Sequence, residues 1–327
     1  MIISRTPLRI SFVGGGTDLP AYADRYVGEV ISTTINKYVY VTAAHKFDGR
    51  VSIRYSETEN VATVDELKHT IIRECLKSFG IKDGIEIVTI SDVPMKGTGL
   101  GSSSALTVGL INALCAYMGV RSDEEDLAES AAYIEISKLN APIGRQDQYA
   151  AAYGGFNHLQ FGRGSVTVDE LRMPSTCQKV IWLEDNTMLF WLHQERDAND
   201  ILLEQSEQID DRLPLYESMK ESVHAFLNWA DSRNDMPEDA VGGIMNIAWE
   251  NKKAFCSSIT TPHINDLYSR AIDAGAIGGK ISGAGGGGFL MLIVPEDAQD
   301  SVRDALPEAH EMPFKFTIKG SEVVYES

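Results

Sequence analysis

The sequence predicts an α+β fold in two domains, on three observations. Strand-like and helix-like patterns follow one another without strict βα alternation. The 327 residues exceed what one hydrophobic core usually supports. Glycine-rich turns stand beside apolar strands or helices near the start, at one third and near the end of the chain.

In chain order, residues 1–13, 28–46 and 50–56 read as strands. A helix is predicted over 64–79, where Val64, Leu67, Ile71, Ile72 and Leu76 recur near a 3.6 period. Ile85–Ile90 is a strand entering a glycine loop. Helices follow at about 102–118 and 123–139, and Ala150–Phe161 passes through Gly154-Gly155 into an extended pattern. Val180–Leu192 reads as one or two strands. A long helical stretch covers roughly 197–230, with Pro214 as a break or a start. Further helices cover 238–256 and 263–275. Phe289–Val294 is a strand, 296–306 a short acidic helix, and Phe314–Ile318 and Glu322–Tyr325 are closing strands. A boundary near residue 180 divides the chain into 1–180 and 181–327.

Net charge is −18, which argues against nucleic acid as a partner, because backbone phosphates require a basic surface. A Debye length of ~8 Å still allows a local positive pocket for small anions. No apolar run approaches the ~20 residues of a membrane span, and the N-terminus has no signal-peptide plan. The four cysteines, Cys75, Cys115, Cys177 and Cys256, are scattered without a Cys-x-x-Cys pair, which fits reduced thiols in a cytoplasm and not a zinc site. Oligomeric state is not encoded in any of these features.

The most informative stretch is Pro-Met-Lys96-Gly97-Thr98-Gly99-Leu100-Gly101-Ser102-Ser103-Ser104, followed at once by a helical pattern. Three glycines allow tight turning and close backbone approach, and the serines fall where a helix N-terminus favours phosphate. It is not a Walker A loop, because Gly-Lys-Ser/Thr is missing from its end and Lys96 precedes the glycines. It is not a dinucleotide fingerprint either, since the following pattern is helical rather than βαβ. A ligand-free helix cap is the plain alternative. Two more segments weigh against it: Thr6–Asp18, with Gly14-Gly15-Gly16-Thr17-Asp18 after a strand, and Lys280–Phe289, with Gly285–Gly288 before one. Four consecutive glycines are costly in chain entropy, which implies close approach to a ligand or to another backbone.

Three such turns in this order resemble the motifs of the GHMP kinases, the family of galactokinase, homoserine kinase, mevalonate kinase and phosphomevalonate kinase. Within it, Arg5–Pro20, Ile143–Phe156, Trp249–Lys253 and Gly283–Phe289 resemble D-glycero-D-manno-heptose 7-phosphate kinases. The resemblance implies a ribosomal-protein-S5-like N-terminal domain, a ferredoxin-like C-terminal domain and an active site between them. It also implies ATP and Mg²⁺, with transfer of the γ-phosphoryl group to a sugar hydroxyl.

The residues expected to carry this chemistry follow. Lys96–Ser104 would hold the ATP phosphates. Ser103 matches the family's metal-binding serine, with Ser102 and Ser104 as alternatives in register. Glu135 lies one turn after Ala131 on a stripe of small apolar residues, so its carboxylate points inward and needs a partner; Mg²⁺ is one candidate and Lys138 another. Asp147, expected on a loop after Pro142, would orient the acceptor hydroxyl and take its proton. Arg145 is the candidate cation beside it, or simply its salt-bridge partner, and it stays charged at any working pH. The family match puts Arg9 near Asp147 and assigns sugar contacts to Asp18, with Gly15, Gly16 and Thr17 in the same turn and Gly285 and Gly286 in the third. Asp18 as a mere turn residue is the plain alternative. Arg196 would hold a substrate phosphate. Lys252 and Lys253 are the other candidates, more simply read as surface charges. The text around Arg196 departs from the Thr-Gly-rich heptose-kinase pattern. Other anomeric sugars (fucose, galactose) or a non-catalytic sugar or nucleotide sensor are the competing functions.

Overall fold

The computed structural model describes residues 1–171, 178–194, 198–231 and 235–327. The first sheet is built on two long strands, β1 (Ile2–Val13) and β2 (Gly28–His45), paired antiparallel over nearly their whole length. The far half of β2 pairs with β5 (Ile85–Ser91), which continues in parallel to β3 (Val51–Arg54) and from there to β4 (Thr58–Val61). The near half pairs with β6 (Phe156–Gly162), which forms a hairpin with β7 (Ser165–Glu170). The helix Ser102–Tyr117 packs on β1 and β2 and is apolar nearly all round, as a buried helix must be.

The second sheet contains β8 (Thr187–Trp191), β9 (Gly278–Ile281), β10 (Phe289–Ile293) and β11 (His310–Glu311), in the order β11-β8-β10-β9 and antiparallel throughout. With helices between β8 and β9 and between β10 and β11, this is the β-α-β-β-α-β arrangement expected of a ferredoxin-like unit.

The expected division into 1–180 and 181–327 is not clean at the C-terminus. Strand β12 (Phe316–Thr317) pairs with β2, and β13 (Glu322–Glu326) pairs with β1. The last segment therefore closes an edge of the first sheet and ties the two units together.

Four local readings differ from the pattern. Gln178–Asp185 is a helix, because Val180 and Leu183 point inward at helical spacing while Ile181 is exposed. The helix expected over 64–79 is interrupted. A short 3₁₀ turn, Val64–Glu66, precedes Thr70–Ser78, and the Glu59 carboxylate accepts the Lys68 and His69 N–H groups between them. The helix after Asp123 runs regularly to Ala132 and widens into a π-turn over Tyr133–Lys138. Such widenings are frequent at functional sites. Gln146–Tyr153 is helical, so Asp147 stands in a first helical turn and not on a loop.

Candidate active site

The middle and third glycine turns meet in space, and the strand that leads into the first touches the middle one through Arg9. In the middle one, Gly97, Gly99 and Gly101 all hold left-handed φ values of +70 to +74°. A Cβ on Gly99 would lie 2.2 Å from the Ser282 carbonyl oxygen, so its missing side chain admits the third turn. Phe289 donates its N–H to the Thr98 carbonyl (3.2 Å), and Arg9 donates its N–H to the Leu100 carbonyl (3.1 Å). The loop is thus clamped from both sides.

Its downstream end opens as a helix start. The first intrahelical bond runs from Ala105 N–H to the Gly101 carbonyl, leaving the preceding N–H groups for a ligand. Ser102 is buried, its hydroxyl 3.1 Å from that of Thr98, Ser104 is buried, and Ser103 is exposed. This exposure singles out Ser103 among the three. Lys96 is exposed at the loop's entrance.

The remaining expected residues divide sharply. Arg9, buried on β1, grips Asp147 through two bonds, Nε to Oδ1 and Nη2 to Oδ2, both 2.7 Å, and sends Nη1 to the Gly99 carbonyl. One guanidinium therefore links the Asp147 carboxylate to the middle glycine turn, and its planar fork fixes the carboxylate's orientation. Arg145 does not take part. It lies two residues before Asp147 but bonds Glu129 at 3.1 Å, and the Tyr149 hydroxyl donates to the same Glu129 carboxylate. The expected Arg145–Asp147 pairing is replaced by Arg9–Asp147.

Asp18 is buried and accepts the Gly16 N–H at 3.0 Å. A Cβ on Gly144 would stand 2.0 Å from its Oδ2, so the Gly144 backbone is pressed against the carboxylate. Burial pushes the Asp18 carboxyl above its ordinary value, and the Asp147 charge adds to this; the Gly16 N–H, Gln146 and Lys252 pull the other way. Thr17 is spent on the fold: its hydroxyl bonds the Gly14 and Glu29 carbonyls at 2.8 and 2.9 Å. Gly285 and Gly286 crowd the Ile259 carbonyl, which accepts the Gly286 N–H at 2.7 Å, so these glycines serve backbone packing. Arg196 lies outside the described residues.

Two lysines correct the sequence reading. Lys252 is buried, not a surface charge, and donates to the Gly15 carbonyl at 3.1 Å. Lys280, which the pattern did not single out, is also buried and donates to the Ser11 carbonyl at 2.8 Å. Gly15 sits between them: a Cβ there would lie 3.9 Å from one ammonium and 4.0 Å from the other. Burial pulls Lys252 down to about 8 despite Asp18. It depresses Lys280 further, with the Lys252 and Arg9 charges adding to the effect. Trp249 and Phe255, three residues to either side of Lys252, are both fully buried, so Lys252 shares their inward face. Lys253 behaves as expected, pairing with Glu250 at 2.7 Å.

Glu135 suits a divalent cation. It is buried, bonded to Gln148 Nε2 at 2.7 Å, and forms no salt bridge among the described residues. Lys138, the alternative partner, lies over the Tyr133 ring instead. Burial raises the Glu135 carboxyl to about 7, against hydrogen bonding from Gln148, Ser104 and Ser103. An inward carboxylate beside serine hydroxyls is a hard oxygen donor set of the kind Mg²⁺ takes. Its folded value lies above the ordinary 4.5, so its contribution to stability is full below pH 4.5 and is lost as pH rises toward 7. We expect Glu135→Gln to remove that decline in thermal unfolding temperature measured without divalent ions. We also expect Mg²⁺ to raise the melting temperature of wild type at pH 8 and not that of the variant. Equal Mg²⁺ responses would contradict the assignment.

The family models for the GHMP kinases N terminal domain and GHMP kinases C terminal match residues 66–155 and 236–311. The D-glycero-alpha-D-manno-heptose 7-phosphate kinase of Campylobacter jejuni is 31% identical, over 98% of this chain and 97% of the relative. The L-fucokinase/L-fucose-1-P guanylyltransferase of Bacteroides fragilis is 27% identical over 93% of this chain, which spans 35% of that protein. A crystal structure of a D-glycero-D-manno-heptose 1-phosphate kinase from Bacteroides thetaiotaomicron superposes with a TM-score of 0.74 at 26% identity, covering both chains fully. No helix among the described residues is long and apolar enough to cross a membrane. Three glycine turns, two matched domain models and near-complete alignment agree: the chain belongs to the GHMP kinase family.

Proposed function

We propose that the chain transfers the γ-phosphoryl group of ATP to the anomeric hydroxyl of a heptose 7-phosphate, giving the 1,7-bisphosphate for nucleotide-activated heptose synthesis in the cytoplasm. The observation that carries this reading is the Arg9–Asp147 clamp, set between the phosphate loop and the Asp18 turn. It joins a nucleotide-phosphate cradle to a carboxylate aimed at the acceptor side. The likeness to the Campylobacter jejuni kinase supports a heptose phosphate as acceptor.

The Gly97–Ser104 N–H groups bind the phosphates. Ser103 and Glu135 would hold Mg²⁺, which would supply positive charge to offset that of the phosphates. Asp147 accepts a hydrogen bond from the anomeric hydroxyl and fixes its line of attack on the γ-phosphorus. As the new P–O bond forms and the bond to the ADP oxygen breaks, the hydroxyl proton passes to Asp147. Arg9 keeps the carboxylate in place and offers positive charge near the transferring group. Asp18 accepts further sugar hydroxyls. Arg196 is the proposed partner of the substrate's own phosphate.

The test compares ATP consumption with heptose 7-phosphate, free heptose, fucose and galactose under identical conditions. We expect the highest kcat/KM with heptose 7-phosphate, because charged hydrogen bonds to the remote phosphate contribute ~1.5–3 kcal/mol. A free sugar as the better substrate would overturn the acceptor while leaving the family assignment intact.

A further inference from the structure

A set of buried polar atoms surrounds the Gly15–Asp18 turn without taking part in the steps above. Gln205, on the helix Ala198–Glu207, is fully buried, and both its Oε1 and its Nε2 lack a hydrogen-bond partner among the described residues. Its Oε1 lies 3.3 Å from the point a Cβ on Gly16 would occupy, and Lys252 Nζ lies 3.5 Å from the same point. Tyr216, on the helix Leu213–Ala230, is equally buried, and its hydroxyl is also unpartnered. Its ring is held between Phe255, stacked at 4.1 Å and 3°, and Tyr22, stacked at 5.2 Å. Burial raises the Tyr216 hydroxyl above its ordinary value, with the Cys256 and Asp18 charges adding to it.

An amide buried with both ends unpaired costs stability that Leu or Met at the same place would not. The same is true of the Tyr216 oxygen compared with Phe. Their chemistry specifies what would satisfy them. The amide needs an acceptor and a donor side by side, and the phenol needs an oxygen of its own. A bare anion answers Nε2 and the ammonium of Lys252 but not Oε1 or Asp18. An apolar group answers none of them. Adjacent hydroxyls, each both donor and acceptor, answer all of them.

Resting on the sugar-kinase reading, we propose that Gln205 and Tyr216 form the hydroxyl-reading end of the acceptor site. The Gln205 amide spans two neighbouring hydroxyls of the sugar, donating from Nε2 to one and accepting at Oε1 from the other. The Tyr216 hydroxyl donates to a further sugar oxygen beside Asp18. Both side chains are fully buried without ligand, so sugar binding requires the Ala198–Glu207 and Leu213–Ala230 helices to move from the turn.

The experiment measures heptose 7-phosphate binding by calorimetry, steady-state KM for both substrates, and thermal unfolding, for wild type, Gln205→Leu and Tyr216→Phe. We expect Gln205→Leu to weaken sugar binding by roughly 10- to 100-fold, the loss of two neutral hydrogen bonds. ATP KM stays unchanged, and the melting temperature of the unliganded protein is unchanged or higher. Tyr216→Phe weakens sugar binding by roughly 3- to 10-fold on the same basis. An analogue lacking one of the two paired hydroxyls binds Gln205→Leu no worse than the parent sugar does. If wild type binds the sugar phosphate and both variants bind it equally well, this inference fails and the kinase reading stands. If the variants melt lower and lose ATP and sugar affinity together, the side chains are structural and the inference again fails. If wild type binds no heptose 7-phosphate, both the inference and the reading beneath it are contradicted.

Discussion

Replacing Asp147 by Asn should lower kcat by a factor of roughly 10²–10⁴, the range for a group that orients and accepts a proton in the transition state. The substitution preserves shape and removes the charge that Arg9 grips with two 2.7 Å bonds. Affinity for ATP should persist, because the phosphate loop is held independently by the Arg9 N–H bond to Leu100 and the Phe289 bond to Thr98. The melting temperature should fall modestly, since a buried guanidinium loses part of a charged hydrogen-bond pair, about 1.5–3 kcal/mol when lost outright. Turnover within about threefold of wild type would refute a role for Asp147 in the chemical step. Arg145→Ala provides the contrast. Its guanidinium is on Glu129, so the change should leave kcat near wild type.

Gly99→Val should both destabilise the protein and abolish ATP binding. The sequence alone suggests a clean loss of ATP affinity, with valine filling a phosphate cradle. The fold gives a different outcome. Gly99 has φ of +73° and faces the Ser282 carbonyl and the Gly283 backbone. A β-branched residue there costs about 1–2 kcal/mol in left-handed backbone strain. Displacing the third turn adds about 1–3 kcal/mol by analogy with overpacking. Calorimetry and thermal unfolding together check this. Lost ATP binding at an unchanged melting temperature would mean that the turns are not packed as described. Ser103→Ala is the better isolated probe of the phosphate site, because its side chain is exposed and holds no neighbouring turn.

What could be read in advance follows the range of the forces involved. The three glycine turns, the paired helices after them and most strands are local patterns, and these were legible. The convergence of the middle and third turns was legible only through their order, because no short-range rule brings Gly99 to Ser282. Arg145 misled because proximity in sequence does not set direction. It caps a helix start and points to Glu129, while Asp147 in the first turn points to Arg9 on a distant strand. Lys252 and Lys280 were opaque for a related reason. Buried ammoniums are rare, and only the third dimension brings Gly15 and Ser11 carbonyls to receive them. The Asp147 helix was hidden by Pro142, which stands in the short link between the helix ending at Lys138 and the one starting at Gln146. Gln205 and Tyr216 carried no signal at all: each reads as an ordinary helix residue until its buried polar atoms are found unpartnered.

The position of the transferred phosphate is the most direct test. Wild-type protein, ATP, Mg²⁺ and heptose 7-phosphate are incubated together, and the product is read by phosphorus NMR with coupling to the sugar protons. The account predicts a second phosphate on the anomeric carbon, with the 7-phosphate retained and one ADP formed per product. A phosphate on any other carbon, or no sugar-dependent ADP, would contradict it.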